Sequence, residues 1–149
     1  MRRLLEAWRG SDERGAVAVE FAMVLPVLSL LLFGIIQLGV TLNNYILVAN
    51  AAAAGERALS TNRGTPTPYT ATKTAIDDAL PAAMVTKMAF TTTVNTTACT
   101  TDAGCETLYP SSAGVDPSTV TVTYPCNLTF WTIKFSGCTI TSASTEIIQ

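Results

Sequence analysis

The sequence predicts an α+β protein: one long N-terminal transmembrane helix, then a small external domain with one helix and a short antiparallel sheet. Three observations predict it. No charged residue lies between Glu20 and Glu56. The stretch 69–80 carries apolar residues at helical spacing, and beyond Thr86 the composition turns to Thr, Val and aromatic residues in alternation. A chain of 149 residues with 13% charged residues has room for one small domain once a membrane anchor is subtracted.

The anchor comes first. From Phe21 to Val40 the chain is apolar apart from Ser29 and Gln37. Roughly 20 such residues at about 1.5 Å rise cover a hydrocarbon core of about 30 Å. The apolar residues fall all round the helix rather than along one stripe, the pattern of a helix solvated by lipid or deeply buried. The rest of the chain is too small to bury it, so the membrane reading is preferred. The expected divisions are a basic cytoplasmic leader at 1–15, a transmembrane helix at 16–43, a helix extension at 44–60 and an external α+β domain at 61–149. Pro26 lies within the span, lacks a backbone N–H and is expected to kink the helix.

Flanking charge sets the orientation. Arg2, Arg3, Arg9 and Arg14 precede the span, and the next basic residue after it is Arg57. Lys and Arg stay on the cytoplasmic side, so the N-terminus is expected inside and the C-terminal domain outside. Ala49-Asn-Ala51 has the form of a signal-peptidase site. It lies well past an apolar run about twice the usual h-region length, so a retained anchor is preferred.

The extension is rich in Ala, the best helix former, and Glu56 and Arg57 are read as its emergence into water. The run from Thr61 to Pro68, with Gly64, Pro66 and Pro68, breaks the helix. The second helix, about 69–80, places Ala75, Ile76, Ala79 and Leu80 on one face and ends or bends at Pro81. Asp77 and Asp78 are adjacent, hence about 100° apart round the helix, and are read as a solvated face rather than a catalytic dyad. Strands are expected at 89–95, 118–124 and 138–148, with turns at 102–104 and 113–117.

The four cysteines, Cys99, Cys105, Cys126 and Cys138, all follow the anchor. An even number in an external domain suggests two disulfides, for which three connectivities exist. Cys99–Cys105 and Cys126–Cys138 are favoured because each closes a short local loop. Zinc is disfavoured, since the chain has no His and no C-x-x-C pair. Asp102, Glu106 and Asp116 match no calcium-loop spacing.

No catalytic residues are assigned. The absence of His removes the commonest general base, and no nucleophile triad, phosphate loop or dinucleotide fingerprint occurs. No cofactor is expected. A net charge of −2 with scattered Lys and Arg argues against nucleic acid.

The junction Arg14-Gly-Ala-Val-Ala-Val-Glu-Phe21 joins the leader to the span. It resembles the processing site of type IV pilins, where a prepilin peptidase cuts after Gly and a Glu follows at the fifth mature position. That resemblance implies cleavage between Gly15 and Ala16, with Glu20 and Phe21 at the start of the mature helix. The wider run adds Leu32-Phe-Gly-Ile-Ile-Gln-Leu-Gly39 and Ala51-Ala-Ala-Ala-Gly-Glu-Arg-Ala58. Together they resemble the TadE-like family, strongly over about residues 13 to 60 and weakly again at 120–125. Gln37 stands where that family usually has an acidic residue.

The resemblance implies a non-enzymatic, pseudopilin-like component of a tight-adherence (Tad/Flp) pilus or secretion system in the bacterial inner membrane. The implied partners are the prepilin peptidase, other pilin-like subunits and the Tad assembly platform. The alternative is a membrane-anchored binding or adhesion module that is never processed.

Overall fold

The computed structural model of the protein describes residues 2–109, 116–126, 128–130, 133–135 and 137–148. The chain divides into two units, Met1–Val40 and Thr41–Gln149. The first is helical. Helix α1 runs Arg2–Thr61, continuous through Pro26.

The second unit begins within α1 and is α+β. After the breaker come α2 (Pro68–Ala79) and the single turn α3 (Ala82–Val85), then β1 (Ala89–Val94), β2 (Thr97–Cys99), α4 (Asp102–Leu108), β3 (Asp116–Pro125), β4 (Leu128–Phe130), β5 (Ile133–Phe135) and β6 (Thr139–Ile148). Pro68 opens α2 at a position where its missing N–H costs nothing, and Pro81 separates α2 from α3. The main sheet has four antiparallel strands in the order β2-β1-β3-β6, while β4 and β5 pair separately. β3 is the central strand, matched to β6 from Asp116↔Ile148 to Pro125↔Thr139 without a break.

The β1–β2 hairpin closes through Asn95 and Thr96, both at positive φ (47° and 69°), with Val94 opposite Thr97. Two consecutive left-handed residues make the mirror-image turn whose twist suits a hairpin. Asn tolerates that conformation far better than Thr, so position 96 carries backbone strain.

The core lies between the sheet and two helical segments. Val48, Ala51, Ala52 and Leu59 of α1 and Ile76 of α2 are fully buried with Val94, Val120 and Val122. Gly55 makes this packing close. A Cβ there would lie 2.7 Å from Cγ1 and 2.9 Å from Cδ1 of Ile76, and 3.3 Å from Cγ1 of Val120. The sheet therefore packs on the end of α1 as well as on the second helix.

Several sequence expectations need correction. Residues 102–104 open the helix α4 instead of a turn. Asp116 and Pro117 belong to β3, and residues 113–115 lie outside the described residues. The external part holds α2, α3 and α4 rather than one helix, and β2, β4 and β5 add to the three strands expected. Asp77 is only partly solvated: one carboxylate oxygen takes the Lys73 ammonium at 2.8 Å, while the other is buried.

Candidate functional site

The most distinctive surface of the chain is the first half of α1. Val27, Leu28, Leu30 and Leu31 are all exposed, although successive positions point about 100° apart round a helix. Large apolar side chains from Val17 to Ile46 are exposed in the same way. Soluble proteins rarely leave more than a few hundred Å² of contiguous apolar surface uncovered. The segment belongs to a helix, Gly15–Thr61, that is long and apolar enough to cross a membrane.

The junction residues sit at the start of this surface. Gly15, Ala16 and Glu20 are exposed, and Phe21 is 61% exposed. All four lie inside α1, so the Gly15–Ala16 bond is within regular helix. A Cβ added at Gly15 would meet nothing within 4 Å, and the same holds at Gly34 and Gly39. The chain's own packing therefore does not require glycine at any of the three. Gly55 is the opposite case.

The cysteines come together as two bridges. Cys99 pairs with Cys105 at a Cα–Cα distance of 5.0 Å, and Cys126 with Cys138 at 5.2 Å. The first staples β2 to α4; the second closes the base of the segment between β3 and β6. Among the described residues no group of three or more His, Cys, Asp or Glu is placed to hold a metal ion. Asp102 is committed elsewhere: its Oδ1 accepts from the Thr70 backbone N–H at 2.8 Å and its Oδ2 from the Thr70 hydroxyl at 2.6 Å.

Asp102 thus caps the N-terminus of α2, whose own N-cap Thr67 makes no side-chain bond. The Thr70 hydroxyl, then the backbone N–H groups of Thr70 and Tyr69, hold the carboxyl below its ordinary 3.8. Asp102 also stands in the first turn of α4, where Thr101 caps through a bond from the Gly104 N–H.

Glu56 is the other carboxylate that the sequence misassigned. It does not emerge into water. It is 1% exposed, enclosed by the domain well past the apolar surface of α1. The Ser118 hydroxyl of β3 donates to its Oε1, and its Oε2 is buried with no hydrogen-bond partner among the described residues. Burial pushes this carboxyl above its ordinary 4.5, the Ser118 bond opposes the rise, and the nearby Glu146 charge adds to it.

An apolar helix exposed all round, joined to a small disulfide-stapled α+β domain, defines the class: a protein built on a single membrane-anchor-type helix. The family described as TadE-like protein matches residues 15–57, so the chain carries a TadE-like domain there. The match begins at Gly15 and ends beside Glu56, taking in both the exposed apolar surface and the buried wall of the core. Comparison with curated proteins and with solved structures finds no match.

Proposed function

We propose that this chain is a non-enzymatic, pseudopilin-like component of a Tad/Flp pilus or secretion system in the bacterial inner membrane. Residues 16–43 span the bilayer, the Arg-rich leader stays in the cytoplasm, and the disulfide-bonded domain lies in the periplasm or beyond. A prepilin peptidase removes residues 1–15, and the mature helix then packs beside other pilin-like subunits at the Tad platform. The observation that carries this reading is the TadE-like match, which starts at Gly15, the residue before the expected cut.

The geometry of α1 supports the processing step. Gly15 has open space where a side chain would go, so the chain's own packing leaves this position free to suit a peptidase that must approach the backbone. A protease needs an extended substrate, and the scissile bond lies in helix. Glycine lowers the cost of local unwinding by about 1 kcal/mol relative to Ala. Pro26, eleven positions on, removes one more helical hydrogen bond and loosens the helix as it packs. After cleavage the α-amino group of Ala16 becomes a partner for Glu20 of a neighbouring subunit. A carboxylate in the membrane otherwise costs about 2.5–3.5 kcal/mol at the helix centre and less near its end.

N-terminal sequencing of protein from cells with an active prepilin peptidase tests the reading. Ala16 is the expected first residue, and Gly15→Leu is expected to block cleavage with membrane insertion intact. A mature protein that retains residues 1–15 would overturn processing and leave the unprocessed, membrane-anchored binding module.

A further inference from the structure

The four-stranded sheet has two edges of different character. The β2 edge is three residues long and tied to α4 by Cys99–Cys105. The β6 edge runs the ten residues Thr139–Ile148, and no strand pairs with its outer side among the described residues. Proteins usually protect such an edge with Lys, Pro, a bulge or brevity. β6 has no Lys and no Pro, a continuous register with β3, and one charge, Glu146.

The direction of the backbone groups follows from two bonds. Asn95 N–H donates to Pro117 O at 2.9 Å, and Cys126 N–H donates to Cys138 O at 3.1 Å. Odd-numbered residues of β3 therefore turn their amides to β1, and even-numbered residues turn theirs to β6. Through the register Ser118↔Glu146, Val120↔Ser144, Val122↔Ser142, Tyr124↔Ile140, the even residues of β6 answer β3. That leaves the N–H and C=O groups of Thr139, Thr141, Ala143, Thr145 and Ile147 facing outward, an open row of donors and acceptors.

The residues along this edge read nearly the same in both directions about Ala143. Ser142 and Ser144 flank it, then Thr141 and Thr145, then Ile140 and Glu146. We propose that β6 pairs antiparallel with β6 of a second copy of this chain about a two-fold axis at Ala143, joining the two sheets into one. In that register Ala143 lies opposite Ala143, Thr141 opposite Thr145 and Thr139 opposite Ile147. Thr–Thr pairs suit neighbouring strands, and like charges directly opposite do not. Glu146 falls opposite Ile140, so the two Glu146 residues stand six positions apart, roughly 20 Å, beyond the screening length of about 8 Å. Ile147, 62% exposed in the single chain, gains a neighbour. This pairing is independent of whether the leader is cut.

Cysteine crosslinking of the full chain in dilute detergent micelles tests it. All four native cysteines are bridged, so an introduced one is the single free thiol. Facing Cα atoms about 5.5 Å apart lie within disulfide range. Ala143→Cys is expected to form about tenfold more covalent dimer than Ala82→Cys, an exposed control on α3, because facing edges hold the thiols at high effective concentration. Thr139→Cys and Ile147→Cys should each crosslink poorly alone and well when mixed. Thr141→Pro in the Ala143→Cys background should abolish the dimer with the near-ultraviolet circular dichroism unchanged, because the lost N–H faces outward. Equal dimer yields at 143 and 82, or crosslinking of 143 to a different protein alone, would overturn the proposal.

Discussion

Helix α1 carries two carboxylates, Glu20 and Glu56, in opposite surroundings. Glu20 is exposed at the head of a segment whose large apolar side chains are exposed. Glu56 is enclosed by the second unit, bonded to Ser118. Around Glu20 the large residues lie outside and the glycines have room; around Glu56 the small residues lie inside and Gly55 has none. One unbroken helix thus uses its side chains in two ways. In the first part the large side chains lie exposed, and in the second they build the core. Both parts are uncharged from Phe21 to Gly55 and both are helical. What separates them is which residues are small and where the packing partners come from.

The sharpest way to break this comparison is to truncate one leucine in each part. Leu59 is fully buried, and Leu59→Ala is expected to lower domain stability by about 2–5 kcal/mol. Leu38 is 71% exposed, and Leu38→Ala should leave the domain's denaturant midpoint unchanged. Urea unfolding of both variants in micelles gives the answer, and equal shifts would erase the distinction.

Alanine at the glycines is a finer probe, because the sign should invert. Gly55→Ala forces a Cβ against Ile76 and is expected to cost about 1–3 kcal/mol through overpacking, only partly offset by better helix propensity. Gly34→Ala meets nothing and should leave domain stability unchanged while strengthening the helix slightly. Equilibrium unfolding and helix content by circular dichroism report the two effects. A destabilising Gly34→Ala would show that the exposed part has an internal partner.

The smallest expected effect is a slope with pH. Glu56 has its carboxyl raised by burial, so the folded state holds the proton more tightly than the unfolded one. Its contribution is present below about 4.5 and declines as pH rises through the folded value. Glu56→Gln keeps the shape and an acceptor for Ser118, so it should raise stability near neutral pH and flatten that decline. Asp102 works the other way: its lowered carboxyl supports the fold above 3.8 and loses that support as acid protonates it. Thermal melts from pH 4 to 8 distinguish the variant, and parallel wild-type and Glu56→Gln curves would remove Glu56 from the account.

Much of this architecture is legible in the residues. The uncharged stretch from Phe21 announces a long apolar helix without any partner, because hydropathy is a property of the segment alone. The Thr–Val alternation at 118–124 marks β3 for the same reason: a strand with one buried face shows period two. The misses share a cause. Glu56 looks like a helix leaving the membrane until Ser118 arrives from 62 positions away. Asp102 looks like a turn residue until Thr70, 32 positions off, gives it a helix to cap. The seven residues of α4 include Gly104 and carry too little periodicity to outweigh the turn signal of Asp-Ala-Gly. A carboxylate whose partner is distant in sequence leaves no local trace. At the junction, Gly15 and Glu20 stand out because neither is explained by the fold around them.

Gly55 and the buried residues at 48–59 bear on how this protein can be cut into pieces. Fragments of proteins with such a helix are commonly trimmed at its end, on the assumption that the soluble part starts where the helix stops. Here that cut would remove Val48, Ala51, Ala52 and Leu59 together and leave Ile76 and Val120 facing solvent. A soluble fragment should begin near Thr41, keeping the last turns of α1 as the side of the domain they complete. The same logic applies to proteolysis. A protease acting just ahead of Thr41 would release a folded particle, whereas one acting in the Pro-rich segment after Thr61 would release a polypeptide stripped of part of its interior.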